Sequence, residues 1–143
     1  MLDQDGLSAP SCHVHYDVVE HHWPETLDNA NILGHKFVIC PWTGDAQRQS
    51  PDGYKRAAEL FNKAGEGSRK AGIQFGYHNH FWEFIPALVP GGQLPYDFLL
   101  EATNPVNAKM ELDLCGITVA GKDPLAYFRK YPDRFALARE RPE

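Results

Sequence analysis

The amino-acid sequence alternates between short apolar runs typical of buried β-strands and longer stretches with helical spacing, and this alternation restricts the fold most. Four strands are predicted, at residues 11–15, 36–40, 74–80 and 109–115. Between the second and third of them, the stretch Gly53 to Ala71 collects small and apolar residues on one helical face. Because strands that alternate with helices form parallel sheets with right-handed crossovers, we predict an α/β protein.

Two architectures fit this alternation: an open doubly wound sheet and part of a (β/α)8 barrel. No glycine-rich phosphate loop follows the first predicted strand, so the dinucleotide-binding sheet lacks support. Polar residues end three of the four strands, as expected if several strands share a central site, and this favours the barrel. A complete barrel needs roughly 200 to 250 residues. The sequence has 143 residues, so we expect a single partial (β/α)8 TIM-barrel domain over residues 1–143 with about four βα units.

The composition excludes several classes of partner. Net charge is −5 and no cluster of Lys and Arg occurs, which disfavours nucleic acid. No apolar run approaches the ~20 residues of a membrane span, and the acidic N-terminus does not resemble a signal peptide. The three cysteines are widely spaced and odd in number, as for reduced thiols in the cytoplasm. We therefore expect a cytoplasmic protein with no nucleic-acid or membrane partner, and the open edges of a partial barrel favour self-association.

Polar side chains near the ends of the third and fourth predicted strands point to a site. Alternation places His78 and His80 on one face, and it places Glu111, Asp113 and Cys115 on the face opposite Met110, Leu112 and Leu114. Carboxylates inside a barrel need a divalent cation or a basic partner. Histidine nitrogen with carboxylate oxygen suits Mn²⁺, Co²⁺, Zn²⁺ or Fe²⁺, and Mg²⁺ less naturally. The alternative is that the histidines bond neighbouring strands and Glu111 pairs with an arginine.

Four further residues are candidates for the same pocket. His13 and His15 point the same way from the first strand, so one of them could line it; a surface position is the alternative. Trp42 follows the second strand and could form a pocket wall or pack in the core. Glu83, just after the third strand, could contact substrate or act as a general base, or it could be a solvated loop carboxylate.

Several segments together resemble the sugar phosphate isomerase/epimerase family, the xylose isomerase-like TIM barrels. The most specific are Gly76 to Phe84 and Glu111 to Leu114, with support from Leu94 to Asp97 and Ala120 to Pro124. The runs from Ala9 and from Lys36 resemble the third and fourth strands of that family. The four predicted βα units would therefore correspond to family strands 3–6.

The resemblance implies a divalent metal at the strand ends and proton transfer next to a carbonyl. Aldose–ketose isomerisation and epimerisation are the expected reactions. A keto-cyclitol dehydratase or a 3-keto-glycoside lyase is the alternative within the same superfamily. His78 takes the place of the strand-five metal ligand, usually a glutamate, with His80 competing for that role, and Asp113 matches the strand-six ligand. The predicted site is therefore as follows: metal ligands His78 and Asp113; catalytic residues Glu83 and Glu111; substrate contacts His13, Trp42 and His80.

The sequence also departs from the family. Nothing before Leu7 resembles family strands one and two, and no counterpart exists for the histidine of strand seven or the glutamate of strand eight. We therefore expect an incomplete metal site and impaired activity of this chain alone. A non-catalytic remnant, or a binding module that pairs with another half barrel, is the alternative from a different class. Metal-dependent apurinic-site endonucleases share the fold, but the acidic net charge argues against that activity.

Overall fold

The computed structural model describes residues 2–86 and 90–140, which form one curled sheet of five parallel strands covered by helices. The strands lie side by side in chain order, with no reversal of direction along the sheet. A doubly wound sheet reverses its strand order, whereas a barrel adds each strand to the one before it. The predicted partial TIM barrel is thus confirmed. The strands are β1 (Ser11–His13), β2 (Phe37–Cys40), β3 (Gln74–His78), β4 (Ala108–Asp113) and β5 (Phe135–Arg139).

Helices follow the strands and begin where the sequence carries N-caps. The 20-residue helix after β2 starts with the Ser50 hydroxyl accepting a bond from Gly53 N–H and with Pro51 at its first position. Asp123 and Pro124 begin another helix in the same way. The helices are α1 (Tyr16–His21), α2 (Trp23–Leu33), α3 (Asp45–Arg48), α4 (Pro51–Lys70), α5 (Pro95–Ala102), α6 (Leu114–Val119) and α7 (Pro124–Lys130).

The core lies between the sheet and the helices. Phe75 and Tyr77 of β3 and Met110 and Leu112 of β4 are buried there, with Phe61 of α4 packed on both β3 aromatic rings. Since neighbouring residues of a strand face opposite ways, the residues between them belong to the inner face of the curled sheet. This confirms the predicted division of β3 and β4 into a helix-packed face and an inner, polar face.

Strand ends differ from the sequence-based bounds in ways that matter for the site. β4 ends at Asp113, whose carboxylate accepts a bond from Cys115 N–H and caps α6. Cys115 is therefore an exposed helical residue and does not share the inner face with Glu111. β1 ends at His13, and His15 is the exposed N-cap of α1.

The fifth strand was not predicted. β5 pairs with β4 through a register shift between Met110 and Glu111. Its sequence from Ala136 to Arg139 consists of strong helix formers, so its strand conformation comes from pairing rather than propensity. The predicted loop at 87–93 lies partly outside the described residues, at 87–89, and Pro90–Gly92 form a short 3-10 turn. Over residues 2–86 and 90–140, no helix combines the length and apolarity needed to span a membrane.

Candidate metal centre

Three side chains from three strands converge on the inner face, near its carboxyl edge. Glu111 Oε2 lies 2.8 Å from Nε2 of His13 and 2.9 Å from Nδ1 of His78. The potential ligand atoms of the three residues all lie within 4.8 Å of one another. β2 lies between β1 and β3 and places Ile39 opposite both His13 and Gly76. An added Cβ at Gly76 would lie 2.5 Å from Ile39 Cδ1, so the glycine leaves room for this apolar residue.

The cluster holds Glu111 ionised. Burial raises the pKa of Glu111, but close polar contacts and charge interactions with His13 and His78 outweigh that effect and bring the pKa down to about 2, from an ordinary 4.5. His78 is only 1% exposed, whereas the His13 side chain is 31% exposed. One wall of the cluster is therefore buried, and the His13 side is open to a ligand.

The geometry at His78 fits a bound cation. Its Nδ1 is buried and reaches ion-pair distance of Glu111, yet it makes no aligned hydrogen bond within the described part of the chain. A metal ion between the two imidazoles and the carboxylate would satisfy this nitrogen. Two nitrogens and one ionised oxygen form a donor set suited to Zn²⁺, Mn²⁺, Co²⁺ or Fe²⁺.

Asp113, predicted as a ligand, lies beside these three residues rather than among the converging atoms. Its Oδ2 is 3.7 Å from Nε2 of His78, the nitrogen that faces away from Glu111. Asn79 fixes the Asp113 backbone, because its Oδ1 accepts from Asp113 N–H at 3.0 Å. This role of Asn79 was not predicted; the only signal in the sequence is an amide that directly follows a strand.

Glu83 is not brought to the cluster. Its carboxylate is fully buried and accepts hydrogen bonds from Tyr77 Oη at 2.5 Å and from His80 N–H at 2.8 Å. Tyr77 faces the helices, so Glu83 lies on the opposite side of the sheet from His78. Burial raises the pKa of Glu83, and the hydrogen bonds from Tyr77 and His80 only partly offset it. This burial rules out the solvated loop position, and it places the predicted catalytic carboxylate away from the cluster.

An aromatic wall lies next to the cluster. The His80 ring is 5.2 Å from that of His78 and stacks on Trp82 at 4.2 Å. The Trp42 ring, 37% exposed as a residue, packs edge-on against both His80 and Trp82. The structure thus brings together the predicted pocket residues His13, Trp42 and His80 at or near the His13–His78–Glu111 cluster. Trp82 was missed, since an aromatic residue in a turn carries no distinctive sequence signal.

The chain is similar to an inosose dehydratase and to a solved sugar phosphate isomerase/epimerase. No family model matches the chain. It is 27% identical over 132 residues to an inosose dehydratase of Lacticaseibacillus casei, a match that covers 83% of this chain and 43% of the relative. A solved sugar phosphate isomerase/epimerase from Parabacteroides distasonis is 30% identical, with a TM-score of 0.86 over 95% of this chain and 52% of that one.

A third comparison concerns the fold alone. A xylose isomerase domain protein from Planctomyces limnophilus is 12% identical, with a TM-score of 0.66 over 96% of this chain and 55% of that chain. The chain thus spans about half the length of the proteins it matches. These neighbours confirm the resemblance found in the sequence: the chain has the fold of a partial TIM barrel and is similar to a sugar phosphate isomerase/epimerase, and it shares that fold with a xylose isomerase domain protein.

Proposed function

We propose that this chain supplies part of the active site of a metal-dependent sugar isomerase or epimerase, which moves a proton next to a carbonyl. The observation that carries the proposal is the convergence of His13, His78 and Glu111 on the inner face near the carboxyl edge of the sheet. Active sites of (β/α)8 enzymes lie at that edge. A small sugar or keto-sugar is the proposed substrate, in keeping with the named activities of the relatives.

The proposed metal site uses the three converging residues. A bound divalent cation would polarise the substrate carbonyl and so acidify the adjacent C–H bond. His78 and Glu111 would hold the cation from the buried side, and His13 from the exposed side. The Asp113 carboxylate, 3.7 Å from Nε2 of His78, would favour a proton on that nitrogen and so leave Nδ1 as the ligand atom.

The proton itself needs a separate acceptor. Glu83 is buried on the other side of β3, and Glu111 already faces two imidazoles, so we assign neither as the base. We assign this role to His80, a partly exposed imidazole beside the cluster. Trp42 would then cover the substrate and exclude water, as its exposed ring next to His80 suggests.

Deuterium exchange tests the chemistry more sensitively than turnover does. A ketohexose is incubated with the chain and Mn²⁺ in D₂O, and deuterium at the carbon next to the carbonyl is followed by NMR. We expect slow, metal-dependent exchange by the wild-type chain and background exchange by Glu111→Gln. If the wild type does not exceed Glu111→Gln, the catalytic proposal fails and the non-catalytic half-barrel module becomes the better account.

A second candidate is dehydration of a keto-cyclitol, which begins with the same proton abstraction. The match to an inosose dehydratase favours it. Incubation with an inosose separates the two reactions, because dehydration releases water and produces a conjugated enone with a new ultraviolet absorbance, whereas epimerisation leaves the absorbance unchanged.

Self-association and a cytoplasmic location remain proposals. Among the described residues, β1 and β5 each pair with one neighbouring strand, so each has one unpaired backbone edge. We expect dimers in size-exclusion chromatography if these edges meet. A monomer that unfolds cooperatively would contradict self-association.

A further inference from the structure

Arg48 has no role in the proposed metal chemistry, yet its guanidinium lies beside two residues of the aromatic wall. Its guanidinium carbon is 5.1 Å from the ring centre of Trp42 and 4.8 Å from that of Trp82. The two indoles are almost perpendicular, at 87°, so the cation occupies the corner between them. Attraction to both rings fixes the guanidinium in position. Because its side chain is still 25% exposed, a ligand can reach it.

A cavity adjoins this guanidinium. It has a volume of about 230 Å³ and is lined by Arg48, Trp82, Tyr54, Ile85 and Pro86. Trp82 also stacks on His80, which lies beside His78 of the metal cluster. The stacked pair of His80 and Trp82 therefore lies between the cavity and His78 of the proposed metal cluster.

The chemistry of the cavity wall favours an oxyanion. A guanidinium presents a planar fork of N–H donors that matches a phosphate or carboxylate group. Here Arg48 pairs with Asp45 through Nη2, and its Nε donates to the carbonyl of Gly44 at 3.4 Å. The Asp45 side chain is 70% exposed, and water screens such a pair so strongly that exchange for another anion costs little.

We propose that Arg48 binds the anionic group, a phosphate or a carboxylate, of a sugar whose carbonyl lies at the His13–His78–Glu111 cluster. Asp45 acts as the internal counter-ion that the ligand displaces. This inference rests on the proposed function, which it narrows to anionic sugars. Trp42 and Trp82 hold the cation without neutralising it, so it remains available to the ligand.

Calorimetric titration tests the proposal with four probes: inorganic phosphate, D-fructose, D-fructose 6-phosphate and 5-keto-D-gluconate. The wild type should bind at least one of the anionic sugars about tenfold or more tighter than D-fructose, as expected for one charge-assisted interaction. Whichever anionic sugar shows the preference identifies the group as phosphate or carboxylate. Arg48→Gln should abolish the preference, and Arg48→Lys should recover only part of it.

Asp45→Asn keeps the proposal testable if Arg48 variants fold poorly. Removal of the internal counter-ion should tighten binding of the preferred anionic sugar several-fold. The matched control is Arg129→Gln, which removes an exposed arginine paired with Asp123 at 3.3 Å and should change nothing. Equal binding of neutral and anionic sugars by the wild type, or an unchanged preference in Arg48→Gln, overturns the proposal.

Metal titration of the same variants separates this inference from the proposed function. Arg48→Gln should bind Mn²⁺ like the wild type, whereas Glu111→Gln should not. If Glu111→Gln binds the metal normally while Arg48 still governs the anion preference, the metal site fails and the anion site stands. If Glu111→Gln loses the metal while Arg48→Gln keeps the preference for the anionic sugar, the anion site fails and the metal site stands.

Discussion

Two glutamates, one on each side of the sheet, have pKa values shifted in opposite directions. Glu111 lies on the inner face with His13 and His78, and its pKa falls to about 2. Glu83 lies on the helix side, bonded by Tyr77 and His80 N–H, and its pKa rises. Burial by itself raises the pKa of both carboxyls. The chemical nature of the partners therefore decides the result.

This difference explains why one carboxylate suits a metal site and the other does not. Imidazole nitrogens can ligate a cation, so an ionised Glu111 between His13 and His78 completes a set of three donors suited to a metal. A phenol and a peptide N–H supply hydrogen bonds without charge. Glu83 therefore fixes the turn that carries His80 and Trp82, and it contributes to the site through their position.

The largest expected effect concerns metal affinity. Glu111→Gln should weaken Mn²⁺, Co²⁺ and Zn²⁺ binding by more than about 100-fold, since loss of an outer-shell partner alone costs 10- to 100-fold. Glu83→Gln, the matched change on the other face, should leave metal affinity within about threefold of wild type. Calorimetric titration measures both variants. Equal losses in the two would show that the glutamates do not have different roles.

The next effect is on stability. Glu83→Ala leaves the Tyr77 hydroxyl and the His80 N–H buried without an acceptor, so it should lower the free energy of unfolding by about 2 to 4 kcal/mol. Glu83→Gln should lose much less, because its amide can still accept from His80 N–H and donate to Tyr77. Urea unfolding followed by circular dichroism gives the values. A Glu83→Ala protein as stable as Glu83→Gln would contradict this role.

The smallest effect is the pH dependence, which should have opposite signs for the two residues. The folded-state pKa of Glu111 lies below its ordinary 4.5, so its contribution is present above pH 4.5 and is lost as the pH falls towards 2. The folded-state pKa of Glu83 is raised, so its contribution is present below pH 4.5 and is lost as the pH rises through the folded value.

Unfolding free energies of the wild type relative to Glu111→Gln and Glu83→Gln, measured from pH 2.5 to 8, check these signs. The wild-type advantage over Glu111→Gln should shrink as the pH falls below 4.5. Its advantage over Glu83→Gln should shrink as the pH rises above 4.5. If both stability differences shrink in the same direction of pH, the neighbouring groups do not determine the direction of the pKa shift.

The inner-face positions of two site residues could be predicted because side chains alternate with a period of two along a strand. This alternation placed His78 and Glu111 on the inner face without knowledge of any contact, because the buried residues between them marked the other face. Glu83 lies in a 3-10 turn beyond β3, where no such period applies, so its direction could not be inferred. The fold class followed from the βα alternation, whereas β5 was missed because its residues favour helix and only pairing makes it a strand.

Arg48 shows a different limit. It belongs to the four-residue helix α3, between Gly44 and Ser50. A helix of one turn is too short to show a helical period in its sequence. Its contact with Trp82 joins segments that are far apart in the chain. Such a contact depends on how two loops pack against each other at the end of the sheet. The sequence of one loop alone does not predict that packing.

Anomalous diffraction from crystals grown with Mn²⁺ tests the central claim most directly. The account predicts one strong peak within about 2.0 to 2.3 Å of His13 Nε2, His78 Nδ1 and a Glu111 carboxylate oxygen, and it predicts loss of that peak in Glu111→Gln. A peak at Glu83, or an unchanged peak in Glu111→Gln, would contradict the assignment of the metal centre to the inner face of the sheet.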